Sequence, residues 1–156
     1  MTCTIISKGN EITQSHNEHE PPYPQIKEKL CKKIWELYQS GYNSFYLNCE
    51  YGIPLWSAEI ICEMKKYDDI KLHIVIPYEN QPLKWIEENR DRYYNIHALS
   101  DDVHMICTGY YDGCYNDADE YMIDRSGLLL IYGEADDNLY GAEYARKQGV
   151  GYFNVK

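Results

Sequence analysis

Two spacings of apolar residues alternate along the chain, and they predict alternating strands and helices. Short, nearly continuous apolar runs are typical of strands covered on both faces of a sheet. These runs predict strands at Thr2–Ser7, Ser44–Leu47, Lys71–Ile76, Val103–Thr108, Gly127–Tyr132 and, as an edge strand, Gly151–Val155. Apolar residues at steps of three and four predict helices. Such steps lie at Gln25–Gln39, Pro54 to about Lys66, Gln81 to about Leu99, Ala118–Arg125 and Leu139–Gln148.

This order of elements predicts an α/β fold, in which a mostly parallel sheet carries helices on both faces. The arrangement is a Rossmann-like three-layer fold, and we expect residues 1–156 to form a single domain. Ligands of such folds bind beyond the carboxyl ends of the strands. The segments expected there are Lys8–Asn10, Asn48–Gly52, Pro77–Gln81, Thr108–Tyr111 and Gly133–Asn138.

The stretch NCEYGIPLWSAE, from Asn48 to Glu59, is a strand end that runs directly into a helix. Such a junction often binds phosphate, because the helix start offers unpaired N–H groups and a partial positive charge. Here the turn contains one glycine, Gly52, and a carboxylate, Glu50. A phosphate about 4 Å from a carboxylate is opposed by roughly 4 kcal/mol at an effective dielectric constant near 20. The turn therefore indicates a modified or lost phosphate site.

Charge and composition narrow the classes of partner. The 15 Lys and Arg residues against 25 Asp and Glu residues give a formal charge of -10, which predicts no nucleic-acid contact and no anionic membrane contact. No apolar run approaches the roughly 20 residues of a membrane span, so we expect a cytoplasmic protein. The six cysteines contain no C-x-x-C spacing, which favours reduced thiols; we expect neither a metal nor a cofactor.

Several stretches resemble the SLOG superfamily of Rossmann-like proteins, which includes the Smf/DprA DNA-binding proteins and the Lonely-Guy phosphoribohydrolases. They are FYLNCEYGIPLWSAE, IVIPYENQPLKWIEENRDRYYNI, EYMIDRSGLLLIYGE and AEYARKQG. The spacing of Pro77, Gln81, Trp85 and Tyr93 is most similar to the small YpsA-like branch. This resemblance implies a nucleotide-sensing fold, and for the YpsA-like branch an association with bacterial cell division.

The chain departs from the patterns of these families around one cleft. Ser7-Lys8-Gly9-Asn10 replaces a T-G-H-R type turn, and only Gly52 matches the glycines of the second turn. Ala118-Asp119 replaces an Arg-Asn pair, and Asp136-Asp137-Asn138 replaces a G-G-T turn. Glu143 is out of register with the catalytic glutamate of the Lonely-Guy motif, which argues against hydrolase activity. One interpretation is structural, with Glu50 and Asp137 or Asn138 satisfying the helix starts.

The ligand-site prediction combines these turns with aromatic residues suited to base stacking. Its members are Lys8, Gly9, Asn10, Asn48, Glu50, Tyr51, Gly52, Tyr78, Gln81, Trp85, Asp119, Tyr132, Gly133, Asp137 and Asn138. Tyr110 and Tyr111 are expected near the same cleft, and Lys8 and Asn10 can supply a small anion or ribose site. No residue is predicted to be catalytic, although Cys49 could be an activated thiol at the helix start.

Three functions remain open. The first is a non-enzymatic sensor or sponge for a nucleotide-derived small molecule, such as an ADP-ribose-like or cyclic nucleotide signal. The second is a regulatory module that contacts a protein partner through an acidic, tyrosine-rich surface. The third is a nucleotide hydrolase with a rearranged site that uses Glu50 or Asp119. The sequence leaves homo-oligomer formation open.

Overall fold

The computed structural model describes residues 1–8, 12–133 and 139–155. Its strands are β1 Thr2–Ser7, β2 Ser44–Leu47, β3 Lys71–Tyr78, β4 Asp102–Cys107, β5 Leu128–Tyr132 and β6 Gly151–Val155. Its helices are α1 Tyr23–Gln39, α2 Ile53–Met64, α3 Glu87–Leu99, α4 Cys114–Asp124 and α5 Tyr140–Gln148. The predicted alternation of strands and helices is confirmed.

The strands form one parallel sheet in the order β4-β3-β2-β1-β5-β6. The chain moves outward from β1 to β4 and then returns to place β5 against the free side of β1. The connections leaving β1 and β5 therefore diverge, which makes the carboxyl end of these two strands a topological switch point.

Apolar side chains alternate between the two faces of the sheet and create a core on each. Ile5, Phe45 and Leu72 pack with α1, α2 and α3 on one face. Ile6 and Val75 pack with α4 and α5 on the other. The sheet thus lies between two helical layers, as the α/β prediction requires.

Strand β3 continues through Pro77, where the sequence predicted its end. The ladder from β3 to β2 stops at the pair Leu47–Ile74, whereas the ladder to β4 continues to Tyr78–Cys107. Proline is tolerated in a strand where no neighbour needs its missing N–H group. Pro77 lies in the part of β3 beyond the end of β2, which explains the longer strand.

Helices α1, α2 and α5 begin within two residues of the predicted starts, whereas α3 and α4 begin four or more residues away. Helix α3 starts at Glu87 because Ile86 has an extended backbone with ψ 151°, and turns occupy residues 79–84. Helix α4 starts at Cys114, four residues before the predicted start, because Gly113 adopts a left-handed conformation with φ 98°. The earlier start brings Tyr115 onto the same helix as Asp119.

The segment between β1 and α1, residues 12–22, is anchored across the carboxyl edge by an ion network. Glu18 accepts hydrogen bonds from Arg92 at 2.6 and 3.0 Å, from Lys27 at 2.7 Å and from the Tyr51 hydroxyl at 2.8 Å. Burial opposes ionisation of Glu18, but these donors outweigh it and lower its pKa to about 2. We refer to residues 12–22 as the strap.

The strap also contacts the start of α2. A Cβ atom placed on Gly52 would lie 3.3 Å from Cβ of Ile12.

Among the described residues, no helix combines the length and apolar character needed to cross a bilayer.

Candidate functional site

The turn between β2 and α2 has an unusual backbone. Cys49 has a positive φ of 61°, and Gly52, the N-cap residue of α2, has φ 102° and ψ -132°. That combination at Gly52 is essentially restricted to glycine. The Asn48 side chain accepts a hydrogen bond from the Glu50 N–H at 3.0 Å and closes the turn. Unusual backbone held in this way is typical of ligand sites.

The Glu50 carboxylate is held by hydrogen bonds from two other parts of the chain. Its Oε2 accepts hydrogen bonds from Nε2 of Gln81 at 3.1 Å and from the Tyr115 hydroxyl. Gly52, the N-cap residue of α2, has no side chain that could cap the helix. Within the described residues, the Glu50 carboxylate accepts hydrogen bonds from α4 and from the β3–α3 connection and none from the N–H groups of α2. That Glu50 stabilises this helix start through its charge stays a prediction.

Gln81 joins these parts into a buried network. It is 4% exposed, and its Nε2 also donates to the carbonyl oxygen of Asn48 at 3.1 Å. Its Oε1 accepts a hydrogen bond from the Tyr93 hydroxyl at 3.0 Å. Buried hydrogen bonds at both ends of its amide fix the orientation of the Gln81 side chain.

A cavity of about 230 Å³, which we call the polar cavity, lies beyond the ends of β1 and β2. It is lined by Ile6, Ser7, Asn48, Glu50, Pro54, Tyr115 and Asp119. Burial raises the pKa of the Asp119 carboxyl to about 7, and the neighbouring Glu120 adds to this effect. Near neutral pH, Asp119 can therefore both donate and accept hydrogen bonds.

A second cavity of about 530 Å³, the aromatic cavity, lies beyond the end of β3. It is lined by Glu50, Tyr78, Asn80, Gln81, Leu83, Lys84, Trp85, Tyr110 and Tyr115. Tyr78 meets the Tyr110 ring edge to face, with their centroids 5.3 Å apart. Glu50 and Tyr115 line both cavities, so their hydrogen-bonded pair lies at the boundary.

The structure brings most of the described candidate residues to these cavities. Asn48, Glu50 and Asp119 line the polar cavity, and Glu50, Tyr78, Gln81 and Trp85 line the aromatic cavity.

The other described candidates lie nearby. Tyr51 turns toward the strap, where its hydroxyl bonds Glu18. Lys8 and Gly133 meet at the ends of β1 and β5, where the Lys8 N–H donates to the carbonyl oxygen of Tyr132 at 3.2 Å. The predicted residues Gly9, Asn10, Asp137 and Asn138 lie outside the described residues.

Sequence reasoning missed Tyr115, which lines both cavities, and Lys84, the cation that lines the aromatic cavity. The predicted start of α4 at Ala118 left Tyr115 in a loop. The spacing of four between Tyr115 and Asp119 would place both on one helix face, and that signal was available. The ion network of Glu18 was missed as well, because its partner Arg92 is distant in sequence.

Other chemical groups receive structural explanations. Cys49 is fully buried, and burial raises the pKa of its thiol well above the usual value, so the activated-thiol interpretation is wrong. His73 hydrogen-bonds with Ser44 at 2.7 Å and with Asp102 at 2.8 Å, and the His104 ring stacks on Tyr121. Within residues 1–8, 12–133 and 139–155, no cluster of three or more acidic, His or Cys side chains could hold a metal.

Comparison with known proteins relates this chain to a family. The model of the YspA SLOG family matches residues 8–149. A UPF0398 protein of Brevibacillus brevis is 30% identical over 125 residues, covering 78% of this chain and 66% of that protein. A UPF0398 protein of Staphylococcus aureus is 31% identical over 143 residues, covering 88% of this chain and 76% of that protein.

A solved structure shares the fold. DNA processing protein A from Helicobacter pylori, described for its single-stranded DNA binding mode, matches with a TM-score of 0.65 and 14% sequence identity. The match covers 100% of this chain and 65% of the H. pylori chain. The chain thus spans about two thirds of this structure and 66% of the B. brevis relative.

The prediction that excluded nucleic-acid partners is wrong. It used the net charge of -10, but a protein with the same fold is described as binding single-stranded DNA. Net charge sums over the whole surface, whereas a strand of nucleic acid contacts only a local groove and aromatic faces. The matched family model covers nearly all of the sequence, and the resemblance seen in the sequence motifs is confirmed: the chain belongs to the YspA SLOG family.

Proposed function

We propose that the carboxyl edge of the sheet binds a small nucleotide-derived ligand, and that the protein acts as a non-enzymatic sensor or sponge for it. The observation that carries this proposal is the junction of an aromatic cavity and a polar cavity at Glu50 and Tyr115. A nucleoside has the same division, with a flat aromatic base joined to a hydroxyl-rich sugar. The base fits the aromatic cavity, because stacking requires ring faces and edges.

The aromatic cavity offers several such surfaces. Trp85 is 9% exposed and is held by edge contacts with Tyr51 and Tyr93, at centroid distances of 6.0 and 5.4 Å. Tyr110, in contrast, is 64% exposed at the rim. A preformed inner wall with an exposed outer ring suits the capture of a flat ligand, since less order is lost on binding to the inner wall.

The order of strands then gives the ligand a direction. The aromatic cavity lies at the end of β3, the polar cavity at the ends of β2 and β1, and Lys8 follows β1 at the switch point. Phosphates are disfavoured in the polar cavity, where Glu50 would oppose each by roughly 4 kcal/mol at 4 Å. We therefore place the base at β3, the ribose at β2 and any phosphates near Lys8.

Single-stranded nucleic acid is a second candidate ligand. The exposed Lys84 and Tyr110 lie at the open side of the aromatic cavity, and together they offer a cation and a stacking face. The likeness to the H. pylori DNA processing protein supports testing this candidate. It differs from the first in requiring a polyanion that extends beyond the cavities.

The test measures binding by calorimetry to adenosine, cyclic AMP, ADP-ribose and a single-stranded oligonucleotide. Mass spectrometry of molecules released from the heated protein searches for a ligand that co-purifies. We expect a nucleoside-containing small molecule to bind, and Tyr78→Ala to weaken its binding roughly tenfold or more because a stacking wall is lost.

Tyr67→Ala is the matched control, because Tyr67 is 87% exposed and lies away from both cavities. If the oligonucleotide bound and none of the small molecules did, the result would favour single-stranded nucleic acid as the ligand. The proposal would be contradicted if Tyr78→Ala bound the small molecule as tightly as Tyr67→Ala does. It would also be contradicted if no compound bound and mass spectrometry found no released molecule.

A further inference from the structure

The two oxygens of the Glu50 carboxylate differ in their hydrogen bonds. Oε2 accepts the hydrogen bonds of Gln81 and Tyr115, whereas Oε1 accepts none within the described residues. Gln81 is itself fixed by Asn48 and Tyr93. The carboxylate is therefore oriented before any ligand arrives, with a free acceptor in a cavity-lining residue.

The polar cavity requires a ligand group that donates hydrogen bonds. Among the described residues, its lining contains two carboxyl groups, Glu50 and Asp119, and no Lys or Arg. An anionic group there would face carboxylates without a compensating cation. A neutral group with adjacent donors satisfies the open oxygen without adding charge.

A ribose presents such a group, because its 2′- and 3′-hydroxyls are neighbouring donors. In dinucleotide-binding folds, an acidic residue accepts a hydrogen bond from the ribose 2′-hydroxyl, and a 2′-phosphate requires an arginine instead. The same chemistry follows here from Oε1 of Glu50 and from the described residues that line the polar cavity, which include no cation.

We infer that Glu50 selects an unsubstituted ribose: its Oε1 accepts hydrogen bonds from the sugar diol, and the polar cavity rejects ligands that lack the 2′-hydroxyl or carry a 2′-phosphate. This inference rests on the proposed function, since it assumes that the base lies in the aromatic cavity. It adds a specificity rule that the function does not require, because a base-binding cavity alone would accept ribose and deoxyribose equally.

The test compares adenosine, 2′-deoxyadenosine and adenosine 2′-monophosphate by calorimetry on the wild-type protein and on Glu50→Gln. Wild type should bind adenosine roughly tenfold or more tightly than either analogue, since a hydrogen bond to a charged acceptor is lost or a repulsion gained. In Glu50→Gln, the preference over the 2′-phosphate should shrink, because the amide carries no charge and can donate.

Glu20→Gln, an exposed substitution in the strap, is the control and should keep the wild-type preferences. Circular dichroism and a thermal melt test whether Glu50→Gln folds. If it does not fold, the relative affinities of the wild-type protein for the three ligands test the inference alone. Equal wild-type affinity for adenosine and 2′-deoxyadenosine would overturn the inference while leaving the proposed function intact. Binding of none of the three, with no ligand found in the wider panel, would remove both.

Discussion

The Tyr115 hydroxyl donates a hydrogen bond to Oε2 of Glu50, and this pair forms a shared boundary of the polar and aromatic cavities. The two residues are far apart in sequence and reach each other only because α4 packs beside the β2–α2 turn. Burial and the adjacent Glu50 carboxylate raise the pKa of Tyr115, so the hydroxyl stays protonated and remains a donor. Near neutral pH, the hydroxyl can therefore donate to Glu50 at this boundary.

Tyr115→Phe should lower the free energy of unfolding by about 1 kcal/mol, because a partly buried carboxylate loses a donor while the ring is kept. Urea unfolding at pH 7 measures this change. Tyr67→Phe, at an 87% exposed position, should change it by less than about 0.5 kcal/mol. Equal effects of the two substitutions would show that the Tyr115–Glu50 contact contributes nothing to stability.

Glu18→Gln should destabilise the protein by roughly 1–3 kcal/mol, because Arg92 and Lys27 lose a charged acceptor in a partly buried network. The low pKa of Glu18, about 2, stabilises the folded state above the ordinary value of 4.5, and this contribution is lost as the pH falls toward 2. The difference between wild type and Glu18→Gln should therefore shrink between pH 6 and pH 3. Glu20→Gln, an exposed neighbour, should show no such pH-dependent difference.

Asp119→Asn should gain stability relative to wild type as the pH rises. The folded-state pKa of Asp119 is raised from 3.8 to about 7, so its stabilising contribution is complete below pH 3.8 and is lost as the pH rises through 7. Between pH 5 and pH 8, we expect a relative gain of roughly 1–3 kcal/mol in urea unfolding. The substitution Asp112→Asn, at an exposed position, is the control, and a similar trend in both variants would argue against a raised pKa at Asp119.

Gly52→Ala should destabilise the protein by roughly 1–3 kcal/mol, because the backbone with φ 102° and ψ -132° is strained for any residue with a Cβ. The new methyl group would also approach Ile12 of the strap to 3.3 Å. Gly109→Ala is the matched control, since a Cβ there would meet no atom within 4 Å. Thermal melts compare the two, and equal melting temperatures would contradict the strain.

The sequence predicted the fold well, because strand positions follow local apolar runs. The bounds of β1, β2 and β6 match those predicted, and those of β3, β4 and β5 differ by at most two residues at either end. Helix starts were less predictable, since they depend on single backbone angles. The extended Ile86 and the left-handed Gly113 directly precede α3 and α4, and the apolar pattern alone could not locate these backbone conformations.

The candidate site was predicted in part for a similar reason. Asn48, Glu50 and Tyr78 follow strands directly, so topology was sufficient to place them at the carboxyl edge. The role of Glu50 was not predictable, because it depends on donors from Gln81 and Tyr115 that only the folded chain brings near. The exclusion of nucleic acid failed for a different reason, since a sum of charges carries no information about where they lie.

The most direct measurement is a calorimetric titration of the purified protein with ADP-ribose, which carries a base, a ribose and phosphates in one molecule. We expect saturable one-to-one binding that Tyr78→Ala and Glu50→Gln each weaken roughly tenfold or more and that Tyr67→Ala leaves unchanged. Those variants change the aromatic wall, the ribose acceptor and an exposed position outside both cavities, respectively. Binding that survives both cavity substitutions would contradict the assignment of the ligand to these two cavities.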